Sequence, residues 1–116
     1  MATALDRAVE VRDVVEALAR SNLTQADLAR ATGASERSVR NWKRTSAIRP
    51  QFDERLRELR DVALILQDSL TRRGVGQWLR ARNRLLDGRR PIELIAQGEV
   101  DAVSEAAQAF VDGGYV

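Results

Sequence analysis

Apolar residues recur along this chain at spacings of three and four, the period of a helix with one buried face, and no stretch alternates with the two-residue period of a half-buried strand. The pattern predicts a first helix from Thr3 to Arg20, with Leu5, Ala8, Val11, Val15 and Leu18 inward and a break at Ser21 and Asn22. Thr24 caps the next helix, Gln25 to Ala31, and Asp27 sits where an acid reaches back to the cap. Gly33 supplies a left-handed turn, Ser35 caps a following helix, and Val39 and Trp42 point inward from it at a three-residue spacing. After Pro50 the stripe Phe52, Leu56, Leu59, Ala63, Leu66 and Leu70 predicts a helix of about 20 residues, roughly 30 Å long. Within it the run from Val62 to Leu66 is apolar on every side and calls for burial by more than one neighbour. The stripe suits an intramolecular core or a dimer seam.

From Gly74 the chain reads as short helices divided by Gly, Asp-Gly and Pro. Trp78, Leu79, Leu85 and Leu86 form an apolar set around one of them, Asp87 and Gly88 make a turn, Pro91 opens the next helix and Gly98 stops it. A last helix, Glu99 to Val111, buries Val100, Val103, Ala107 and Phe110 and shows acids on its other side. The expected fold is all-α: an N-terminal helix-turn-helix lobe, a long central helix, and a C-terminal bundle of short helices with an extended tail. The division is 1–50 as a DNA-binding unit and 51–116 as central helix plus partner-binding unit.

The unit from Gln25 to Trp42 carries the first functional signal, because its outward face is basic. Arg37, Arg40, Asn41, Lys43 and Arg44 lie opposite Val39 and Trp42, with Ser35 at the helix tip. A helix fits the major groove, where Arg pairs with guanine edges and Asn pairs bidentately with adenine. Arg40 and Asn41 are the leading base readers, with Arg37 next, whereas Lys43, Arg44 and Arg49 suit phosphate, which positions without reading sequence. The alternative is a small helical domain whose basic face is only solvated.

Composition removes other classes. The 116 residues contain no cysteine and no histidine, which excludes disulfides, thiolate clusters and the commonest nucleophile and base pairs. No carboxylate pair or phosphate loop stands out, so the expectation is a non-enzyme with no metal and no cofactor. No apolar window is long enough to cross a bilayer and the N-terminus lacks a leader pattern, so the expected location is the cytoplasm.

Net charge is only +2, but its distribution is uneven. Nine basic residues face six acidic ones over 1–50, ten face six over 51–90, and none faces five over 91–116. A basic front and an acidic end suggest two faces with different partners, one of them polyanionic.

A helix-turn-helix, a long helix, and then the pattern Trp78-Leu79, Asn83, Leu86, Gly88, Pro91, Leu94 and Gly98 resembles the Xre/MbcA/ParS family of bacterial antitoxins over nearly the full length. Many members of that family place a proline before the asparagine matching Asn83, where this chain has Arg82. The resemblance implies a DNA-binding front half and a back half that binds a RES-domain toxin, an enzyme that destroys NAD. It implies inhibition by closing the toxin's active site, repression of the shared operon, and a dimer or toxin-bridged hetero-oligomer. The C-terminal region is then the toxin-facing part: Arg89, Glu105, Asp112, Gly113, Gly114, Tyr115 and Val116. Asn83, Gly88, Pro91 and Gly98 fall at helix boundaries and read as structural. Two glycines let the end adapt, and its negative charge complements a cleft built for an anionic dinucleotide. The alternatives are a terminus that frays, and a stand-alone repressor whose C-terminal half only dimerises it.

Overall fold

A computed structural model describes residues 3–7, 10–45 and 47–113, and its regular elements are helical, as the apolar spacing requires. The expected first helix is two. α1 (Ala4–Arg7) and α2 (Val11–Arg20) are separated by an extended Glu10 at φ −70° and ψ 145°, while Ala8 lies outside the described residues. In one straight helix Leu5 would stand about 120° round from Val11, off the stripe formed with Val14, Val15 and Leu18. The break turns Leu5 inward, and it is buried with them.

α3 (Gln25–Thr32) starts at a complete capping box: the Asp27 amide donates to Thr24 Oγ1 at 3.1 Å, and the Thr24 amide donates to Asp27 Oδ2 at 2.8 Å. Gly33 at φ 83° ends it in the left-handed conformation that a Cβ resists. α4 (Glu36–Thr45) follows after the three residues Gly33, Ala34 and Ser35, with the Ser38 amide donating to Ser35 Oγ at 3.1 Å. Val39 and Trp42 face inward and are buried.

α5 (Pro50–Leu66) is the spine, with Pro50 in its first turn. It ends at Leu66, four residues short of the expected end, because Gln67, Asp68 and Ser69 turn the chain and Thr71 caps a new helix by accepting from the Gly74 amide at 3.1 Å. Leu56, Leu59, Val62, Ala63 and Leu66 are fully buried among α2, α3, α7 and α8, so the stripe is consumed within one chain. Leu64 and Ile65 are only half-buried, so burial of the Val62–Leu66 run is incomplete on one side.

Beyond it come α6 (Arg72–Arg80), a single 3-10 turn (Arg84–Leu86), α7 (Pro91–Ala96) and α8 (Val100–Val111). The segment before α7 is closed by an isolated bridge between Asn83 and Arg89, by the Gly88 amide on Asn83 O, and by Asn83 Oδ1, which accepts from the Leu85 amide at 2.9 Å. Val103 and Ala107 of α8 are buried as expected, while Val100 and Phe110 are half-buried. One core cluster joins residues on both sides of position 50, and the rings of Trp42 and Phe52 meet across that point with centroids 6.1 Å apart.

Candidate functional site

Because Val39 and Trp42 hold one side of α4 in the core, the 3.6-residue period turns Arg37, Arg40, Asn41 and Arg44 outward together. All four are exposed, at relative positions i, i+3, i+4 and i+7, and Lys43 is half-buried at the edge. Arg40 Nη1 reaches back to Gln25 Oε1 at 3.4 Å, which ties the outer side of α4 to the start of α3. Ser35 is exposed at the tip, but its hydroxyl caps α4 and bonds the Ser38 hydroxyl at 3.1 Å, so its first role is structural. Arg49 is exposed at the start of α5.

Ion pairing separates these cations from those of α5. There Arg57 Nε donates to Asp53 Oδ1 at 2.9 Å, Arg55 Nη1 to Glu58 Oε1 at 2.9 Å, and Arg60 Nε to Asp61 Oδ1 at 3.1 Å. Among the described residues no carboxylate is within ion-pair distance of Arg37, Arg40, Lys43 or Arg44. Their positive charge is uncompensated and faces outward.

The C-terminal candidates are more dispersed. Arg89 Nε donates to Leu86 O at 3.2 Å and its guanidinium stands 3.8 Å from Glu99, a loose pair with both side chains about half exposed. Glu105 is exposed on α8, and Asp112 accepts from Gln108 Nε2 at 2.9 Å. Gly113 is exposed and is the last described residue; Gly114, Tyr115 and Val116 lie outside the described residues.

Leu85 departs from expectation. Of the apolar set Trp78, Leu79, Leu85 and Leu86, Leu85 is 49% exposed, the largest departure from burial among the big apolar side chains described. Adjacent residues in a 3-10 turn stand about 120° apart, so Leu85 and Leu86 cannot both face the core. The cap from Asn83 puts Leu86 inside. Leu85 instead borders a hollow of about 240 Å³ with Leu86, Ala102, Glu105, Ala106 and Ala109, an apolar floor with one acid on its rim. Trp78 is half-buried and packs on Phe110, with ring centroids 6.4 Å apart.

One further group escaped the sequence reading. Arg80 Nη1 donates to Asp27 Oδ2 at 2.8 Å and to Asn22 O at 2.7 Å, joining α6 to the capping box of α3. The Asp27 side chain is only 8% exposed, so its charge is met by Arg80 and by the Thr24 amide. Asp27 was visible as a cap, but its partner lies 53 residues away and no local signal marks it.

No family model matches the chain. It is 53% identical over 116 residues, the whole of both chains, to a Mycobacterium tuberculosis protein named "probable mycobacterial cidal antitoxin". It is 33% identical over 101 residues to the mycobacterial cidal antitoxin MbcA of Mycobacterium bovis, covering 86% of this chain and 89% of that one. Among solved structures it is similar to a chain of the crystal structure of the M. tuberculosis MbcT-MbcA toxin-antitoxin complex. The TM-score is 0.79 at 31% identity, over 94% of this chain and 100% of the other.

Proposed function

The chain belongs to the MbcA-type antitoxin family, and we propose that it binds and neutralises a RES-domain, NAD-degrading toxin by closing its active site and represses its own operon through α4. What supports a toxin partner is the likeness, over nearly the whole chain, to a chain of a toxin-antitoxin complex. What supports operator binding is the uncompensated row Arg37, Arg40, Asn41 and Arg44, four exposed groups able to pair with base edges or phosphates from a helix seated in the major groove.

In this reading the protein is a non-enzymatic regulator of the cytoplasm. Residues 1–50 supply the DNA-facing surface and 51–116 the toxin-facing one, although both draw on one core. Leu85 and the apolar floor beside it give the toxin an anchor, with Glu105 and Arg89 as polar rim. Asp112 adds negative charge beside the segment Gly113 to Val116, which suits a cleft that receives an anionic dinucleotide. Symmetric operators call for two recognition helices, which a dimer or a toxin-bridged assembly provides.

The test is capture of partners from the native cell on an N-terminally tagged protein, full length against a version ending at Asp112. The expected result is a near-stoichiometric small enzyme held by the full chain and weakened by truncation. Recovery of operator DNA with no protein partner in either sample would leave a stand-alone repressor as the better account.

A further inference from the structure

We propose that the C-terminal half of the chain also grips DNA, through a phosphate-binding hollow in which Arg73 of α6 faces Arg20 of α2. The hollow, of about 620 Å³, is open and lined by Ala19, Arg20, Asn22, Arg73, Gln77 and Arg80. Three of those six side chains are guanidiniums and two are amides, so nearly every group facing the space donates hydrogen bonds. Arg80 is held by Asp27 and by Asn22 O, and acts as a positioning residue. Arg20 and Arg73 are exposed and, among the described residues, have no carboxylate within ion-pair distance.

Two observations favour a nucleic-acid backbone over a solvated surface. First, Arg72 and Arg73 occupy the first turn of α6, where the helix macrodipole disfavours cations and no acid is present. A local rule broken in this way marks a position held by another requirement. Second, the hollow is linked to the face of α4 through the start of α3. Arg40 touches Gln25 at the start of α3, and Asn22, three residues earlier, lines the hollow and donates from Nδ2 to Arg73 O at 3.4 Å. With α4 in a major groove about 12 Å wide, cations one element away meet the flanking phosphates. The inference rests on the operator-binding reading above and extends its footprint past residue 50.

The experiment measures binding of the full chain to operator and to scrambled duplex by fluorescence anisotropy over a range of salt concentrations. It compares the parent with Arg20→Ala/Arg73→Ala and with Arg40→Ala, each checked for an unchanged thermal transition. Each phosphate contact contributes about 0.9 to the log-log salt slope, which amounts to roughly eight-fold in affinity at 0.1 M salt. The double variant should lose close to two units of slope and weaken equally on both duplexes, whereas Arg40→Ala should lose preference for operator. An unchanged slope in the double variant, with Arg40→Ala still impaired, overturns the hollow and leaves operator binding by α4 intact. A parent chain that binds neither duplex at low salt removes the operator reading and this inference with it. Intact DNA binding with lost toxin capture in the double variant overturns the proposal by assigning the hollow to a protein partner. Should that variant unfold, Arg73→Gln alone carries the same test with one unit of slope expected.

Discussion

Gly76→Ala sets two known magnitudes against each other at one atom. Gly76 is buried in α6, and in an exposed helix interior alanine is more stable than glycine by about 1 kcal/mol. A Cβ on Gly76, however, would lie 2.5 Å from Asn22 O and 3.1 Å from Arg80 Nη1. The first distance is roughly 1 Å inside attractive range, and the obstacle is backbone that no rotamer change can move aside. Overpacking of that kind costs about 1–3 kcal/mol. If α6 backs away instead, the bonds from Arg80 to Asp27 and Asn22 O lengthen, and a charge-assisted bond to a buried carboxylate is worth about 1.5–3 kcal/mol before discounting for the one-third exposure of Arg80. After subtracting the propensity gain of about 1 kcal/mol, the variant should be less stable by about 1 kcal/mol and at most about 2, a fall of roughly 4–8 °C in Tm for a chain of this size. Urea unfolding should show a lower midpoint with the same slope. Gly74→Ala is the control, two residues away in the same helix: its Cβ meets only side-chain atoms, Leu70 Cβ and Thr71 Oγ1 at 3.3 Å, and it should be neutral or slightly stabilising. A Gly76→Ala protein as stable as the parent, or an equal loss in Gly74→Ala, would refute the reasoning.

Arg40→Ala and Asn41→Ala should each weaken operator binding by about 1–3 kcal/mol in anisotropy titrations while leaving toxin inhibition intact; equal loss of both activities would mean the faces are wrongly divided. Leu85→Asp should leave the thermal transition close to the parent's, since the side chain is half exposed, and reduce toxin capture at least ten-fold; undiminished capture places the toxin contact elsewhere. Phe110→Ala should destabilise by less than the roughly 3–5 kcal/mol typical of a fully buried phenylalanine, because the ring is only half-buried against Trp78. A larger loss in chemical denaturation would show that Phe110 supports more of the core than its exposure indicates.

What could be read from the sequence was local. The capping box at Thr24, the turn at Gly33, the inward pair Val39 and Trp42, and the prolines that open α5 and α7 each depend on hydrogen bonds or sterics within four residues, and all are present. The departures are those that need a third dimension. Periodicity carries straight through Glu10 because nothing in the pattern says that Leu5 must turn to reach the core. It carries through Gln67 to Leu70 because Leu70 fits the stripe, although Thr71 has already begun another helix. Leu85 looked like its neighbour Leu86 until the short turn separated their faces.

Charge makes the same point for the candidate site. Counting residues gives a nearly neutral chain, and the count treats the arginines of α4, α5 and α6 alike. Position along the helix divides them: Arg55, Arg57 and Arg60 stand beside acids of their own helix and are largely neutralised. Arg37, Arg40 and Arg44 share α4 with a single acid, Glu36, and stay uncompensated. Arg80 belongs to neither group, since a carboxylate 53 residues away holds it as part of the joint between α6 and α3. An exposed paired arginine contributes little to stability and little field to a distant phosphate, whereas an unpaired one keeps its full charge for a partner. The basic surface offered to DNA in the proposed reading is therefore smaller than the composition suggests, and it is pairing together with position, on the outer face of α4 and around the hollow between α2 and α6, that selects Arg20, Arg37, Arg40, Arg44 and Arg73 as the side chains to mutate.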